Sequence, residues 1–398
     1  MTILVEKKLV EKKDTMNNLA EAVEAVESHL HPVPSWEVDA HPLPTGREEV
    51  WRFTPIRRLR PLFKPFEGEL SHIDWDADQP DEVVVRTLTS EEARELAVEA
   101  PIDRVSALVG ATGSWATLFE VPAEVECVQP LSITLHGEGR DSRDHFLFRV
   151  GNHAKVTIVV RHEGSATFAS KMDVIVGDGA QVNFVTLQDW ADDTIHAGQT
   201  SFLIGRDAQV RTVSVSLGGS VVRISETTRF AGPGGSIEQF GLYFVDAGQH
   251  IEHRLFVDHN APHTRSNVDY RGALQGQGAH SVWVGDVLIR KIAEGIETYE
   301  SNKNLVLTDG CQADSVPNLE IQTGEIAGAG HSSTTGRFDD EQLFYLQSRG
   351  IEESEAKRLV VHGFFNDIIR RIGVPELEAH LREVVETELA SSLSEVSQ

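Results

Sequence analysis

The sequence is poor in cysteine and in basic residues. Among its 398 residues there are two cysteines, Cys127 and Cys311, which are far apart in the chain. Two thiols exclude a disulfide framework and a self-sufficient set of four cysteine ligands for zinc or a metal cluster. Lys and Arg number 36 against 62 Asp and Glu, which gives a formal net charge of −26. This charge argues against nucleic acid or an anionic membrane as a partner.

The sequence also lacks long apolar runs and the common catalytic motifs. No stretch has the length that a bilayer requires, and the apolar stretch after Met1 is too short for a signal peptide, so we expect a soluble cytoplasmic protein. There is no phosphate loop of the Gly-x-x-x-x-Gly-Lys-Ser type, no Gly-x-Ser-x-Gly elbow and no His-Glu-x-x-His motif. We therefore expect no ATP site and no enzymatic activity of its own.

What the sequence does contain is a repeat of short β segments separated by glycine turns. Equivalent small residues at Ala154, Ala180, Ala208 and Gly235 recur at intervals of 26, 28 and 27 residues, each just before a new strand. A repeat of this length predicts a β-solenoid, in which stacked coils bury a continuous core that one coil could not bury alone.

Later copies of the repeat are less regular. The phrases around Ala279 and Cys311 follow at intervals of 44 and 32 residues, which predicts insertions in some coils. A β-sandwich or a double-stranded barrel also has many short strands between turns, and it remains the alternative to the solenoid.

Helical patterns precede the repeat. Residues 14–30 carry apolar side chains at helical spacing and end before a proline-rich stretch. Residues 47–63 are basic within an acidic chain. They predict a short helix that packs Trp51 and Leu59 inward, with an anion site on the arginines as the alternative.

Further helices are predicted on both sides of the repeat. Thr89 and Glu92 have the spacing of a capping box, which predicts a helix that continues to about residue 100. The composition changes from strand to helix after Gly336. We therefore predict a mainly helical N-terminal domain (1–125), a parallel β-helix core (126–336) and a C-terminal helical domain (337–398) that ends in a disordered tail.

Histidines are the best candidates for a chemical role. His331 lies among small residues where the strands meet the C-terminal helices, so its imidazole could bind iron or relay protons, although a structural histidine is the alternative. His250 and His253 belong to the densest set of potential metal ligands in the sequence. Their odd spacing would point them to opposite faces of a strand, which favours ordinary polar residues.

The C-terminal helices carry an apolar face formed by Ala356, Leu359, Val360 and Phe364. This face could belong to the core that caps the solenoid, or it could dock a partner protein.

Three segments resemble the SufB and SufD family of iron–sulfur cluster assembly proteins: Thr308–Ile321, Gly330–Ile351 and Glu355–Phe364. Arg47–Pro55 is similar to the N-terminal signature of the SufD members. Together these segments bracket residues from about 47 to 390.

The resemblance implies a right-handed parallel β-helix core flanked by N-terminal and C-terminal helical domains. It also implies a complex with SufB and the ATPase SufC, in which SufB pairs through the β-helix and SufC binds the C-terminal helices. ATP chemistry would then belong to SufC. In the family, a SufD histidine lies beside a SufB cysteine where a transient iron–sulfur cluster forms, and the motif transfers this role to His331.

Two features favour a SufD-like over a SufB-like subunit. The segment that resembles the one holding the essential SufB cysteine is Glu300–Asn304, which has no cysteine, and His331 is followed by Ser332 where SufB has a His-Glu pair. Many SufD sequences have a cysteine shortly before this histidine, whereas this chain has Ala329 and Gly330. A second ligand beside His331 is therefore not identified.

The function predicted from the sequence is a SufD-like, non-catalytic scaffold subunit that supports cluster assembly and iron entry. The alternatives are a SufB-like scaffold that acts as a homodimer and a carbohydrate-active β-helix enzyme. In such an acidic chain, paired carboxylates could mimic the site of that enzyme. Whether the isolated chain forms a homodimer is left open.

Overall fold

The computed structural model describes most of the chain between residues 33 and 385. The described residues are 33–65, 71–111, 115–337, 340–375 and 378–385. The helix predicted over residues 14–30 and the tail predicted to be disordered both lie outside them.

Sixteen β-strands make up about half of the described residues. They are β1 (Asp74–Asp78), β2 (Val84–Leu88), β3 (Ala116–Val121), β4 (Leu131–Val150), β5 (Lys155–Val176), β6 (Gln181–Trp190), β7 (Ile195–Ile204), β8 (Gln209–Ser216), β9 (Val221–Phe230), β10 (Ser236–Val245), β11 (His250–His259), β12 (Arg265–Leu274), β13 (His280–Ile289), β14 (Glu297–Val306), β15 (Gln312–Ile321) and β16 (Gly328–Arg337).

The strands from β4 to β16 form a parallel β-solenoid of about eight turns. The first half of β5 pairs with β6, and β8, β10, β12, β14 and β16 follow in parallel; we call this stack sheet A. The second half of β5 pairs with β7, and β9, β11, β13 and β15 follow; we call this stack sheet B. Each coil contributes one strand to each sheet. The predicted parallel solenoid is confirmed, and the sandwich and barrel alternatives are wrong.

The predicted repeat marks one corner of the solenoid. Ala154, Ala180 and Ala208 are buried and directly precede β5, β6 and β8, while Gly235 directly precedes β10. A small residue is required there because the chain turns tightly against the corner of the preceding coil. A Cβ on Gly235, for example, would lie 3.0 Å from the carbonyl oxygen of Gly205.

The later copies of the repeat lie at a different corner of the solenoid from the earlier ones. Ala279 and Cys311 directly precede β13 and β15, which belong to sheet B, so the interval of 44 residues joins opposite corners of the solenoid. The strands of sheet A from β8 to β16 begin at intervals of 27, 29, 32 and 31 residues. The later coils are therefore longer by a few residues, mostly in their turns, and none contains a large insertion.

Side chains alternate between the interior and the two outer faces of the solenoid, as the period of a β-strand requires. The interior of the first coils combines aromatic packing with buried polar side chains. Phe184 packs edge-on against Phe148 and Phe202, with ring centroids 5.4 and 5.6 Å apart, while His162 and Gln188 lie inside the same coils. Polar side chains also lie inside near β16, where Asn304 donates a hydrogen bond to Asn302.

An N-terminal segment covers the outer face of sheet B. Its helices are the 3₁₀ segments Val38–Ala40, Glu49–Trp51 and Arg60–Phe63, and the α-helices α1 (Ile56–Leu59), α2 (Ser90–Leu96) and α3 (Arg104–Ala111). The predicted inward packing of Trp51 and Leu59 is confirmed. The capping box of Thr89 and Glu92 opens α2 as predicted, but α2 ends at Leu96 because Ala97 adopts a non-helical conformation.

Buried polar contacts attach this segment to sheet B. Arg223 forms ion pairs with Asp103 at 3.0 Å and Glu252 at 3.3 Å, and its guanidinium lies 3.9 Å from the ring centroid of Trp51. Thr54 donates a hydrogen bond of 2.7 Å to Glu252. Because both ion-pair partners of Arg223 are shielded from water, these contacts fix the position of the segment on the solenoid.

Helices α4 (Asp340–Ser348) and α5 (Glu353–Ile369) follow the solenoid, and residues 378–385 are also helical. Gly350 follows the end of α4 and has φ +82°, the left-handed conformation that glycine adopts readily after a helix. Val361, Phe365 and Ile369 are fully buried and belong to one apolar cluster with Val213 and Phe240 of sheet A. This packing covers part of the outer face of sheet A.

Candidate functional site

The candidate site lies at the end of the solenoid formed by β15 and β16. Among the described strands, β16 pairs with β14 alone and β15 pairs with β13 alone, so each presents an unpaired edge. From Ser333 to Arg337 the residues of β16 are exposed. An unpaired strand of ten residues is a template for another β-strand unless something covers it.

His331 lies in the first half of β16, and its side chain faces the interior side of this last coil. The outer face is identified by Tyr299, whose hydroxyl donates a 3.1 Å hydrogen bond to Ser332. The interior face is identified by Asn304, whose amide lies 3.4 Å from the hydroxyl of Thr335. His331 has the same strand parity as Thr335, so it faces inward, yet it is exposed because no described coil covers it.

Glu300 is the register partner of His331 on the neighbouring strand β14. Its side chain is 1% exposed. It reaches across the interior toward sheet B, since a Cβ on Gly285 would lie 2.7 Å from Glu300 Oε1. Neither carboxylate oxygen has a hydrogen-bond partner among the described residues. Burial raises the pKa of Glu300 to about 8, with a further contribution from Asp286, so the free acid is neutral at pH 7.

Glu300 was not among the site residues predicted from the sequence. The segment Glu300–Asn304 was notable there only for its missing cysteine. The interval of 31 residues between Glu300 and His331 equals one late coil, and this was the signal that could have related them.

Cys311 does not lie in register with His331. It occupies the turn before β15 in sheet B, whereas His331 belongs to sheet A. Its thiol donates a hydrogen bond of 3.4 Å to the carbonyl oxygen of Gly276, and burial raises its pKa. This environment favours a structural thiol at a corner of the solenoid.

His250 and His253 point to opposite faces of β11, as their spacing predicted. His250 contacts His280 at 3.2 Å between Nδ1 atoms on the outer face. His253 is buried inside, where its Nε2 lies 3.2 Å from the hydroxyl of Ser216 and its ring stacks on Tyr243. Among the described residues, no group of three or more His, Cys, Asp and Glu side chains is arranged to hold a metal ion.

The four apolar residues predicted to contact a partner differ in accessibility. Ala356 is fully buried, while Val360 and Phe364 are partly buried, and the backbone oxygen of Phe364 accepts a 2.8 Å hydrogen bond from Arg271. Leu359 is 46% exposed. Phe344 and Tyr345 of α4, which were not among the predicted contact residues, are 73% and 57% exposed. None of the described helices combines the length and hydropathy of a membrane span.

Comparison with known proteins identifies the family. Residues 133–364 match the family model described as the SufBD core domain of SUF-system FeS cluster assembly. An iron–sulfur cluster assembly SufBD family protein of Mycobacterium bovis is 48% identical over 89% of this chain and 91% of its own length.

More distant relatives carry the same description. A SufBD family protein of Mycobacterium leprae is 46% identical over 89% of this chain and 93% of its own length. One from Staphylococcus saprophyticus is 22% identical over 82% of this chain and 74% of its own length. The matched region includes the solenoid strands from β5 to β16, with both Glu300 and His331. The chain therefore belongs to the SufBD family of iron–sulfur cluster assembly proteins.

Proposed function

We propose that this chain is a SufD-like, non-catalytic scaffold subunit that pairs with SufB through the open end of its solenoid and binds the ATPase SufC through its C-terminal helices. In this complex it supports iron entry and the assembly of a transient cluster that it shares with SufB. SufC supplies the ATP hydrolysis, for which this sequence contains no phosphate loop.

The observation that carries the proposal is the unpaired edge of β15 and β16 with His331 beside it. A related solenoid that adds its own last strands to this edge would continue the backbone hydrogen bonding. The same pairing would bring ligands from the partner to His331, which faces the interior side of the last coil. A second copy of this chain could use the same edge, so a homodimer in isolation is compatible with the geometry.

Support for SufC binding comes from the exposed apolar side chains of α4 and α5. Phe344, Tyr345 and Leu359 are large and solvent-accessible. Ala356 and Phe364 pack mainly within this chain, so in the proposal they hold α5 in place while Leu359 and Val360 contact the partner. The residues predicted from the sequence therefore divide between core and contact surface.

Anaerobic cluster reconstitution tests the role of His331. The chain alone, its complex with SufB and SufC, and the same complex with His331→Ala are loaded with iron and sulfide and compared by optical and Mössbauer spectra. We expect cluster in the wild-type complex, and we expect the variant complex to assemble but to lose most of it.

Ser333→Ala is the matched control, because Ser333 is exposed on the same face of the same strand. It should load cluster as the wild type does. Normal loading of the assembled His331→Ala complex would refute the site assignment and leave a structural role. Turnover of a carbohydrate by the isolated chain would instead favour the enzyme alternative.

A further inference from the structure

We propose that Glu300 is a second protein ligand, together with His331, for a divalent transition metal ion at the open end of the solenoid. The proposal rests on the proposed function, since it deepens the role of His331, but it concerns a site that this chain forms by itself. The ion would be the iron that enters the cluster.

The register between β14 and β16 places the two residues together. Glu300 and His331 are direct partners on neighbouring parallel strands and face the same side. Neighbouring strands lie about 4.8 Å apart, so an ion between the two coils can contact an imidazole nitrogen above it and a carboxylate oxygen below it. The described structure has no later coil above His331, which leaves further positions for water, sulfide or a ligand from a partner.

A comparison with another interior glutamate shows what is unusual about Glu300. Glu226 is also buried inside the solenoid, but Ser214 donates a 2.6 Å hydrogen bond to one of its oxygens, and Gln239 donates one of 3.2 Å to the other. Glu300 has no such donors among the described residues. A buried carboxyl group without partners is costly, and a cation is the group that would best compensate it.

The surroundings hold the Glu300 carboxyl group in place. Gly285 faces it from β13, and the tip of the Trp283 ring lies over the same glycine, 2.4 Å from where a Cβ on Gly285 would lie. The missing side chain at Gly285 leaves the space that the carboxyl group occupies. A restricted carboxyl group on one strand and an accessible imidazole on the next suit ions such as Fe²⁺, Co²⁺ or Zn²⁺, which accept mixed nitrogen and oxygen ligands.

Binding of Co²⁺, which stands in for Fe²⁺ and is stable in air, tests the proposal on the purified full chain. Calorimetric titration gives the Kd, and the visible absorption of Co²⁺ reports its ligands. We expect one ion per wild-type chain. Glu300→Gln and His331→Ala should each raise the Kd at least about tenfold, because loss of a direct ligand should cost no less than loss of a supporting contact.

Glu226→Gln is the matched control, because it neutralises an interior glutamate remote from β16, and it should leave the Kd unchanged. If Glu300→Gln does not fold, Glu300→Asp keeps the acid and withdraws it by one methylene, and it should also raise the Kd about tenfold. A wild-type Kd unchanged by Glu300→Gln, or by Glu300→Asp where the former does not fold, would overturn the proposal. So would the absence of Co²⁺ binding by the wild type.

The two proposals can fail separately. If both variants lose Co²⁺ but the His331→Ala complex still loads cluster, the metal site stands and the proposed role in cluster assembly falls. If His331→Ala abolishes cluster loading but Glu300→Gln changes no Kd, the role of His331 stands and the role of Glu300 falls.

Discussion

At the scale of single residues, the solenoid interior accepts histidine by keeping it neutral. Burial lowers the pKa of His162 and of His253 to about 4 and that of His259 to about 3. Each ring has a neutral partner: His253 lies 3.2 Å from Ser216, and His259 contacts Thr264 and Ser266 at 2.7 and 3.0 Å. The free-energy cost of burying a charged imidazole is thereby avoided as long as the pH stays high enough to keep the rings neutral.

These histidines predict that acid destabilises the protein. An unfolded chain binds a proton at each imidazole near pH 6.5, whereas folded His253 resists it until about pH 4. The contribution of neutral His253 is therefore fully present above pH 6.5 and is lost as the pH falls toward 4, by up to about 1.4 kcal/mol per pH unit. The Tm should fall between pH 7 and pH 5.

The variant His253→Gln isolates this contribution. It removes the titrating group while it keeps a polar side chain near Ser216, so the dependence of its Tm on pH should be shallower than that of the wild type. Thermal unfolding followed by circular dichroism at pH 7, 6 and 5 measures both slopes. Parallel slopes would show that His253 does not contribute.

At the scale of elements, neighbouring strands place a large interior side chain on one strand opposite a glycine on the other. Tyr270 of β12 lies over Gly241 of β10, and Tyr243 of β10 lies over Gly272 of β12. The Tyr243 hydroxyl donates a 2.6 Å hydrogen bond to the side-chain oxygen of Asn304. Each glycine thus makes room for the ring of the next coil, and the pair of strands packs only in this register.

Gly272→Ala should be strongly destabilising. A Cβ at Gly272 would lie 1.8 Å from a ring carbon of Tyr243, so the ring and its hydrogen bond to Asn304 must shift. We expect a loss of about 1–3 kcal/mol or more in the free energy of unfolding. Urea denaturation measures it.

Gly363→Ala is the control for the change from glycine to alanine. Gly363 lies in α5, and apart from the neighbouring backbone of the helix no atom lies within 4 Å of the Cβ position. There alanine should stabilise the helix by about 0.5–1 kcal/mol. A similar effect of both substitutions would contradict the packing argument.

At the scale of the whole molecule, the solenoid is a one-dimensional stack with different protection along its length. The middle strands are covered on both sides by other coils, and the N-terminal segment and the helix α5 add further cover. The residues of β15 and β16 are intermediate or exposed throughout. Stability in such a stack is approximately a sum over coils and their interfaces, so the open end has the least support.

Hydrogen exchange should follow this order. In the isolated chain, the amides of β15 and β16 should exchange at least about tenfold faster than those of β9 and β10, because local opening is easiest where few contacts are lost. Exchange measured by mass spectrometry on peptides from these strands gives the comparison. Uniform exchange along the stack would show instead that the solenoid opens as one cooperative unit.

Much of the architecture follows from local patterns in the sequence. The interval between Ala154 and Ala180, and between Ala180 and Ala208, determined the solenoid, because each coil needs the same small residue at the same tight corner. The capping box of Thr89 and Glu92 could also be recognised in the sequence, since it depends on residues a few positions apart. The family motifs brought His331 forward as the candidate site residue.

Tertiary structure alone decided which residues meet at the end of the stack. The spacing between sheet A strands varies from 26 to 32 residues, so a fixed interval along the chain does not give the register of the later coils. For the same reason Ala279 and Cys311, which precede strands of sheet B, were assigned to the corner that precedes the strands of sheet A. Stacking of β14 on β16 placed Glu300 next to His331. The folding of α5 onto the rest of the molecule buried Ala356 and left Leu359, three residues later, accessible. Composition and periodicity thus determined that the chain forms coils. The length of each turn decided which side chains lie next to each other on neighbouring coils, and this length is hard to infer from sequence because it can change at little cost in free energy.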